Sequence, residues 1–198
     1  PGLRAWIAGH GLRARKVPAA EPLALLEERT GDAFLVMTAL DEGEQIDRYF
    51  FARCRGPLDS AATATKRACL KRFAETLAHW HSRGVFQRDL KPSNVFVTEQ
   101  CDGWRFALVD LDGVQFRGRL ELEPRLKNLS QLNSSAPRCL TRTDRLRFLN
   151  WYFEASDLVV TYRDTLRAVV TQILDLSRKR GYYTLDDVER EAAEARRR

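Results

Sequence analysis

The sequence predicts an α+β fold in which a few strands come early and helices form most of the rest. Three observations support this prediction. The apolar runs with strand character all end before residue 110. Strong helical periodicity covers residues 61–82, and the segments beyond residue 124 have helical periodicity as well. The chain has 198 residues, 44% of them hydrophobic, which suits one domain with a sizeable core.

The first 60 residues are predicted to contain two helices and a β-hairpin. In chain order, the predicted elements are a helix, two strands, a linker and a short helix, over residues 3–15, 23–26, 34–37, 38–44 and 46–53. Pro18 and Pro22 stop the first helix, because proline lacks the backbone donor that a helix needs. Thr30, Gly31 and Asp32 are predicted to form the turn of the hairpin.

The long helix at residues 61–82 has one apolar face, which we expect to be buried. That face is formed by Ala64, Ala68, Leu70, Phe73, Leu77 and Trp80. Ser60 is predicted to cap its start, and Gly84 is predicted to end it. The elements predicted next are two strands at residues 95–97 and 105–109 and four helices at 125–132, 144–155, 162–180 and 185–198. Thr184 and Asp187 predict a capping box for the last helix.

Composition restricts the choice of partner and compartment. The net charge of +6 and the pI of about 9.4 favour anionic partners: a nucleotide, a nucleic acid or an anionic membrane surface. The same charge also suits an ordinary basic surface. No apolar run approaches the roughly 20 residues of a membrane span. The cysteines form no Cys-x-x-Cys motif and suit a reducing compartment. They are Cys54, Cys69, Cys101 and Cys139.

The most informative motif is at residues 88–94, with the sequence RDLKPSN. Asp89 and Asn94 have the spacing found in the catalytic loops of protein-kinase-like phosphotransferases. In that pattern a second, metal-binding Asp follows a short hairpin, and Asp110 ends an apolar run at the expected place. Either residue of the loop alone would more often form a turn. The combination of Asp89, Asn94 and Asp110 at these spacings is much more specific for a kinase-like site than either loop residue alone.

The chemistry of phosphoryl transfer assigns a role to each of these residues. The reaction needs magnesium, charge neutralisation and in-line positioning. Because Mg²⁺ takes oxygen ligands, Asn94 and Asp110 are the predicted metal ligands and hold ATP through the metal. Asp89 is predicted to be the base that deprotonates the acceptor hydroxyl. Lys91 is predicted to reach the transferring phosphate as a point charge. The predicted cofactors are ATP and Mg²⁺.

Other polar residues near the motif are given structural roles. Asp112 is either a third carboxylate at the metals or a cap for the turn at Gly113, and we favour the turn. Arg88 is predicted to form a local ion pair. His79 and His81 are predicted to be packing or surface residues rather than ligands.

The spacing after Asp110 favours a small acceptor. Protein kinases place a long activation segment after the metal-binding Asp and end it with Ala-Pro-Glu. Here about 15 residues separate Asp110 from the next predicted helix, and no Ala-Pro-Glu follows. A sugar or another small acceptor fits this short segment better than a peptide does.

Beyond the catalytic loop, the chain resembles the bacterial lipopolysaccharide kinases of the protein-kinase-like superfamily. The likeness extends over about residues 3–180. The stretches that support it are Trp6 with Gly9-His10-Gly11-Leu12, Val109-Asp110-Leu111-Asp112, residues 125–133 and residues 144–152. The catalytic loop is specific for the superfamily, and the later helices indicate the family.

The resemblance implies a protein-kinase-like fold, with a partial N-lobe at residues 1–40 and a helical C-lobe with the catalytic loop at 41–198. It also implies ATP-dependent phosphorylation of a heptose or Kdo sugar of the lipopolysaccharide inner core, in the cytoplasm. We expect no nucleic-acid partner, and the oligomeric state is left open. Residues 196–198, three arginines, are either a solvated helix end or a contact with anionic headgroups of the inner membrane.

Three departures from the family leave alternatives open. Gln87 replaces the usual His before Arg-Asp, which we expect to be tolerated. Asn128 stands where the family often has Asp, which is expected to weaken an anchor of the catalytic loop. No Gly-rich loop or strand lysine precedes the first helix, and that helix lacks the usual Glu. The chain as given therefore looks truncated, or the protein is a pseudokinase or binding module. A serine/threonine protein kinase is a further alternative.

Overall fold

The fold is known from a computed structural model, which describes residues 2–29, 31–40, 42–158 and 164–195. The described helices are α1 (Gly2–Ala14), α2 (Ile46–Cys54), α3 (Ser60–Ser82), α4 (Leu122–Ser135), α5 (Arg142–Glu154), α6 (Asp164–Arg180) and α7 (Leu185–Ala195). The described strands are β1 (Pro22–Glu27), β2 (Ala33–Met37), β3 (Glu44–Gln45), β4 (Val85–Gln87), β5 (Val95–Gln100), β6 (Gly103–Leu108) and β7 (Val114–Phe116).

The strands form three small sheets. β1 and β2 pair only with each other in the described chain, β5 lies between β3 and β6, and β4 pairs with β7. All pairings within these sheets are antiparallel. The sequence predicted β1, β2, β5 and β6 but not β3, β4 or β7, because strands of two or three residues are too short to show an alternating pattern. The predicted α+β class is confirmed.

The core is organised around α3, which packs against α5 and β6. Its predicted apolar face is buried at Leu70, Phe73, Leu77 and Trp80, which are each at most 5% exposed. The prediction was wrong for Ala64 and Ala68, which are exposed near the start of the helix. The ring of Phe73 lies 5.0 Å from that of Phe106. The predicted cap at Ser60 was wrong by one residue. Asp59 already occupies the extended position before the helix, and its carboxylate accepts from the Ala62 amide at 2.7 Å.

Two glycines let α1 lie close to its neighbours. A Cβ atom on Gly9 would be 2.2 Å from the Pro22 ring, and one on Gly11 would be 2.2 Å from the Phe116 ring. No larger residue fits either position without displacing the helix. The Gly-His-Gly sequence therefore has a packing role.

The later helices follow the prediction closely. α5 starts with a capping box between Thr141 and Asp144, and Asp187 accepts from the Thr184 amide at 3.0 Å at the start of α7. The predicted turn residue Thr30, the first residues of the predicted helix 162–180 and the terminal arginines 196–198 lie outside the described residues. None of the described helices is both long and apolar enough to cross a bilayer.

Candidate active site

Asn94 and Asp110 lie close together because Asn94 comes directly before the first strand of a hairpin and Asp110 comes after its second strand. β5 begins directly after Asn94 and pairs with β6, with Val95 opposite Leu108. The Val109 amide donates to the Asn94 carbonyl at 3.2 Å, which extends the pairing towards Asp110. The side-chain atoms Asn94 Nδ2 and Asp110 Oδ2 are consequently 3.5 Å apart.

The loop before β5 folds Asp89 towards the same point. The Lys91 amide donates to the Asp89 carbonyl at 3.0 Å, and the Asn94 amide donates to the Lys91 carbonyl at 2.9 Å. Pro92 starts a single 3-10 turn here, for which its fixed φ is suited. Asn94 Nδ2 also donates to the Asp89 carbonyl, at 2.9 Å. The structure therefore brings all four predicted site residues together: Asp89, Lys91, Asn94 and Asp110.

The Asp89 carboxylate lies between two cations. Its Oδ2 atom is 2.7 Å from Lys91 Nζ, and its Oδ1 atom pairs with Arg180 Nη2. Burial alone would raise the pKa of Asp89, but Lys91 and Arg180 outweigh burial and hold that pKa below its ordinary value. Asp89 is therefore ionised at neutral pH and able to accept a proton.

Arg180 is the site residue that sequence reasoning missed. It is the last residue of α6, and 91 positions separate it from Asp89. The sequence shows only a basic last turn, which is ordinary for a helix C-terminus. Its place at the site depends on how α6 packs against α4, and no local pattern reports that packing.

A buried amide pair on α4 anchors the catalytic loop. Gln131 Oε1 accepts from the Leu90 amide at 3.1 Å, and Gln131 Nε2 donates to the Arg88 carbonyl at 2.7 Å. Asn128 Nδ2 donates to the Gln87 carbonyl at 2.6 Å, and its Oδ1 atom accepts from the Gln87 amide at 3.4 Å. The expected weakening at Asn128 was wrong, because an amide both donates to and accepts from the backbone, which a carboxylate cannot do.

His81 extends this network into the core. Its Nε2 atom is 3.2 Å from Asn128 Oδ1, and its Nδ1 atom is 2.6 Å from the Tyr152 hydroxyl. Burial lowers the pKa of His81 to about 3, so the ring is neutral at pH 7. Because Asn128 Oδ1 only accepts, the ring proton lies on Nε2 and the Tyr152 hydroxyl donates to Nδ1. The prediction of a packing role for His81 is confirmed.

Gln87 connects the catalytic loop to the segment that contains Asp110. Its Nε2 atom donates to the Asp110 carbonyl. Its Oε1 atom is buried without a hydrogen-bond partner among the described residues. A Cβ atom at Gly113 would be 2.0 Å from this Oε1, so the Gln87 side chain needs a glycine opposite. Gln87 thus has a structural role.

Asp112 and Arg88, which lie near the site, differ in whether their side chains have a charged partner. Asp112 lies in the turn closed by the Val114 amide and the Leu111 carbonyl, at 3.1 Å. Its carboxylate pairs with Arg4 of α1 at 3.1 Å. The predicted ion pair of Arg88 was wrong: this side chain is exposed and has no carboxylate partner in the described part of the chain. The adjacent carboxylate, that of Asp89, is already paired with Lys91 and Arg180.

Residues 4–152 match the model of the lipopolysaccharide kinase (Kdo/WaaP) family. The chain belongs to this family. The resemblance stated from the sequence is confirmed, and the family places the chain among the phosphotransferases. A curated relative, the serine/threonine-protein kinase cds1 of Schizosaccharomyces pombe, is 34% identical over 71 residues. That match takes in 36% of this chain and 14% of the length of the yeast protein.

Two solved structures are similar to this chain. A structure of WaaP in complex with acyl carrier protein matches with a TM-score of 0.66 and 23% identity, over 88% of this chain and 76% of that one. The kinase domain of PknI from Mycobacterium tuberculosis (C20A_R136A double mutant) matches with a TM-score of 0.41 and 16% identity, over 78% and 72% of the two chains. The likeness to WaaP confirms the predicted protein-kinase-like fold.

The residues at the hairpin end fit a magnesium ion by their chemistry. Asn94 and Asp110 supply an amide and a carboxylate, the oxygen-bearing groups that Mg²⁺ takes, and the Asp110 side chain is exposed. Mg²⁺ usually keeps several water ligands and is also coordinated by phosphate oxygens, so two protein ligands suffice for a metal bound with a nucleotide. When bound there, the ion would neutralise phosphate charge.

Proposed function

We propose that the full-length protein transfers phosphate from ATP to a hydroxyl group of a heptose or Kdo sugar in the lipopolysaccharide inner core. The observation that supports this most is the meeting of Asp89, Lys91, Asn94 and Asp110 at one end of the hairpin. Family membership supports the class of acceptor. Asn94 and Asp110 hold the metal and, through it, the nucleotide.

Asp89 is the proposed base. Its side chain is 41% exposed, so an acceptor hydroxyl can reach it. The hydroxyl gives its proton to the Asp89 carboxylate while its oxygen attacks the terminal phosphorus of ATP and the bond to the leaving ADP oxygen breaks. Lys91, 2.7 Å from Asp89, places a positive charge where the transferring group passes.

The short segment after Asp110 supports a sugar acceptor over a peptide. β7 pairs with β4 directly after the Asp112 turn, and α4 begins at Leu122. Little chain is left to form a docking platform for a peptide. The alternative of a serine/threonine protein kinase is therefore less well supported. The alternative of a pseudokinase is opposed by the retention of all four site residues in one place.

We also propose that the protein works at the cytoplasmic face of the inner membrane. Four cysteines that are free in the structure suit a reducing compartment. The net charge of +6 favours association with anionic headgroups. Sedimentation with anionic and neutral vesicles tests this association, and equal binding to both would contradict it.

Acyl carrier protein is a proposed partner, because the WaaP structure holds it. Purified acyl carrier protein mixed with the full-length protein is expected to elute with it in gel filtration. Separate elution at micromolar concentrations of both would count against this partner and leave the phosphotransferase proposal untouched.

Substitution of the base tests the proposed reaction. Asp89→Asn removes the proton acceptor, so turnover with ATP, Mg²⁺ and lipopolysaccharide core should fall by about 10²–10⁴-fold. The fold should persist, as judged by circular dichroism. Asp102→Asn, at the exposed turn between β5 and β6, is the matched control and should keep the parent rate. Equal rates for Asp89→Asn and the parent would overturn the assignment.

A further inference from the structure

Arg180 has hydrogen-bonding capacity at the site that the chain itself does not use. One of its guanidinium nitrogens, Nη2, pairs with Asp89 Oδ1. Arg180 makes no other hydrogen bond or ion pair within the described residues. A guanidinium has five donors in a planar fork, so donors remain for a ligand. The side chain is 34% exposed, which leaves it accessible.

The position of Arg180 is fixed by packing one turn earlier on α6. Ser177 is fully buried, and its hydroxyl oxygen lies 2.7 Å from the Ile173 carbonyl of its own helix and 3.2 Å from the Ser130 carbonyl of α4. Asn133 Nδ2 donates to the Ser177 hydroxyl at 2.9 Å. α4 also anchors the catalytic loop through Gln131. One helix therefore sets the positions of both Asp89 and the arginine beside it.

Lys91 and Arg180, the two cations at Asp89, have different roles. Lys91 belongs to the catalytic loop and has the phosphate-side role proposed above. Arg180 pairs with the other carboxylate oxygen of Asp89, and within the described residues it forms no hydrogen bond or ion pair with Asn94 or Asp110. An acceptor whose hydroxyl reaches Asp89 must therefore pass close to this guanidinium. A planar fork of donors matches a carboxylate or a phosphate better than it matches a neutral hydroxyl.

We propose that Arg180 is a specificity-determining residue that binds an anionic group on the acceptor, next to the hydroxyl that is phosphorylated. This inference rests on the proposed function and narrows it to acceptors that carry a carboxylate or a phosphate. In the structure, Arg180 pairs with Asp89. When an anionic acceptor binds, its anionic group accepts hydrogen bonds from the unused N–H groups of Arg180. This contact holds the target hydroxyl at Asp89.

Matched acceptors test this inference. A methyl glycoside of Kdo is compared with its carboxyl-reduced, neutral analogue, and a heptose phosphate is compared with the unphosphorylated heptose. The parent protein should prefer the anionic member of at least one pair by about 10- to 100-fold in kcat/KM, the range of one charge-assisted hydrogen bond. The pair with the larger preference identifies the anion as carboxylate or phosphate.

Arg180→Gln should abolish that preference by raising KM for the anionic sugar, with little change for the neutral one. Arg180→Lys should restore part of it, because the charge remains and the fork is lost. Arg178→Gln is the control, since Arg178 pairs with Asp175 on its own helix. An equal loss on both members of a pair, or no preference in the parent, would overturn the inference.

Calorimetry of the same sugars without nucleotide separates this inference from the proposed function. Tighter binding of the anionic sugar that disappears in Arg180→Gln supports the inference, even if no phosphate is transferred. Equal binding of both sugars overturns it, even if transfer occurs.

Discussion

The catalytic loop is supported by a buried side chain, Asn128, whose chemical identity matters for its hydrogen bonds. Its amide donates to Gln87 O and to Gln131 Oε1 and accepts from the Gln87 amide and His81. Every partner requires the amide in this one orientation. A carboxylate here would face two acceptor oxygens and would be a buried charge.

Asn128→Asp should therefore destabilise the protein by at least about 2 kcal/mol, because the Gln87 carbonyl loses a donor, Gln131 Oε1 keeps only the Leu90 amide, and a charge is buried. Urea unfolding at neutral pH measures the change. Asn150→Asp, at an exposed position of α5, is the matched control and should cost less than about 0.5 kcal/mol. If the two variants unfold at the same midpoint, the anchoring role of Asn128 is wrong.

His81 makes stability depend on pH. The pKa of His81 is about 3 in the folded protein, and an unperturbed histidine has a pKa near 6.5. Below about pH 6.5, His81 gains a proton in the unfolded chain but not in the folded protein, and this protonation favours unfolding. The contribution of neutral His81 to the free energy of unfolding is therefore complete above pH 6.5 and is lost progressively down to about pH 3.

Between pH 7 and pH 5 the parent should lose about 2 kcal/mol more of its free energy of unfolding than His81→Gln does, because glutamine has no proton to gain. Urea unfolding at the two pH values measures the difference. His10→Gln, on the exposed side of α1, should retain the pH dependence of the parent. A parallel pH dependence in parent and His81→Gln would contradict the assignment of a neutral, buried imidazole.

At the scale of elements, α3 and α5 are joined by a buried ion pair as well as by apolar contacts. Lys66 Nζ is 2.8 Å from Asp144 Oδ2, and both side chains are less than 10% exposed. Burial raises the pKa of Asp144, but Lys66 and the capping contacts with Thr141 outweigh it and bring that pKa below its ordinary value. The carboxylate therefore serves both the helix pair and the α5 cap.

Lys66→Met should cost about 3–5 kcal/mol of stability, because the buried Asp144 carboxylate is left with Arg147, at 3.9 Å, as its only charged partner among the described residues. Lys71→Met is the control: Lys71 and Glu75 form an exposed pair at 4.0 Å, and its loss should cost less than about 1 kcal/mol. Thermal and urea unfolding would reveal the difference. Similar losses for both variants would show that the buried pair contributes no more than an exposed one.

The sequence predicted which candidate site residues lie close together better than it predicted their surroundings. Asn94 and Asp110 could be placed together because a short hairpin brings its two ends together. Arg180 could not be placed, since its position depends on the contact of Ser177 with α4. His81 gave no sequence signal beyond burial. The family resemblance marked Asn128 as an anchor of the catalytic loop but not its partners, because hydrogen-bond networks join residues that are far apart in the chain.

At the scale of the whole molecule, the β1–β2 hairpin has no further strand beside it among the described residues. Its strands pair with each other, and α1 packs against both of them. Leu26 and Phe34 pair across it, and each is more than half exposed. This apolar surface lies in the part that was predicted as a partial N-lobe, far in sequence from the catalytic loop. An exposed sheet of this kind favours association between chains.

The central claim is that the protein phosphorylates a sugar hydroxyl, and phosphorus NMR of the acceptor tests it most directly. Lipopolysaccharide core lacking inner-core phosphate is incubated with the full-length protein, ATP and Mg²⁺ and then purified. We predict a new phosphomonoester resonance on a core sugar, absent when Asp89→Asn replaces the parent. An unchanged acceptor spectrum, with phosphate found on serine or threonine of a protein or not transferred at all, would contradict the account.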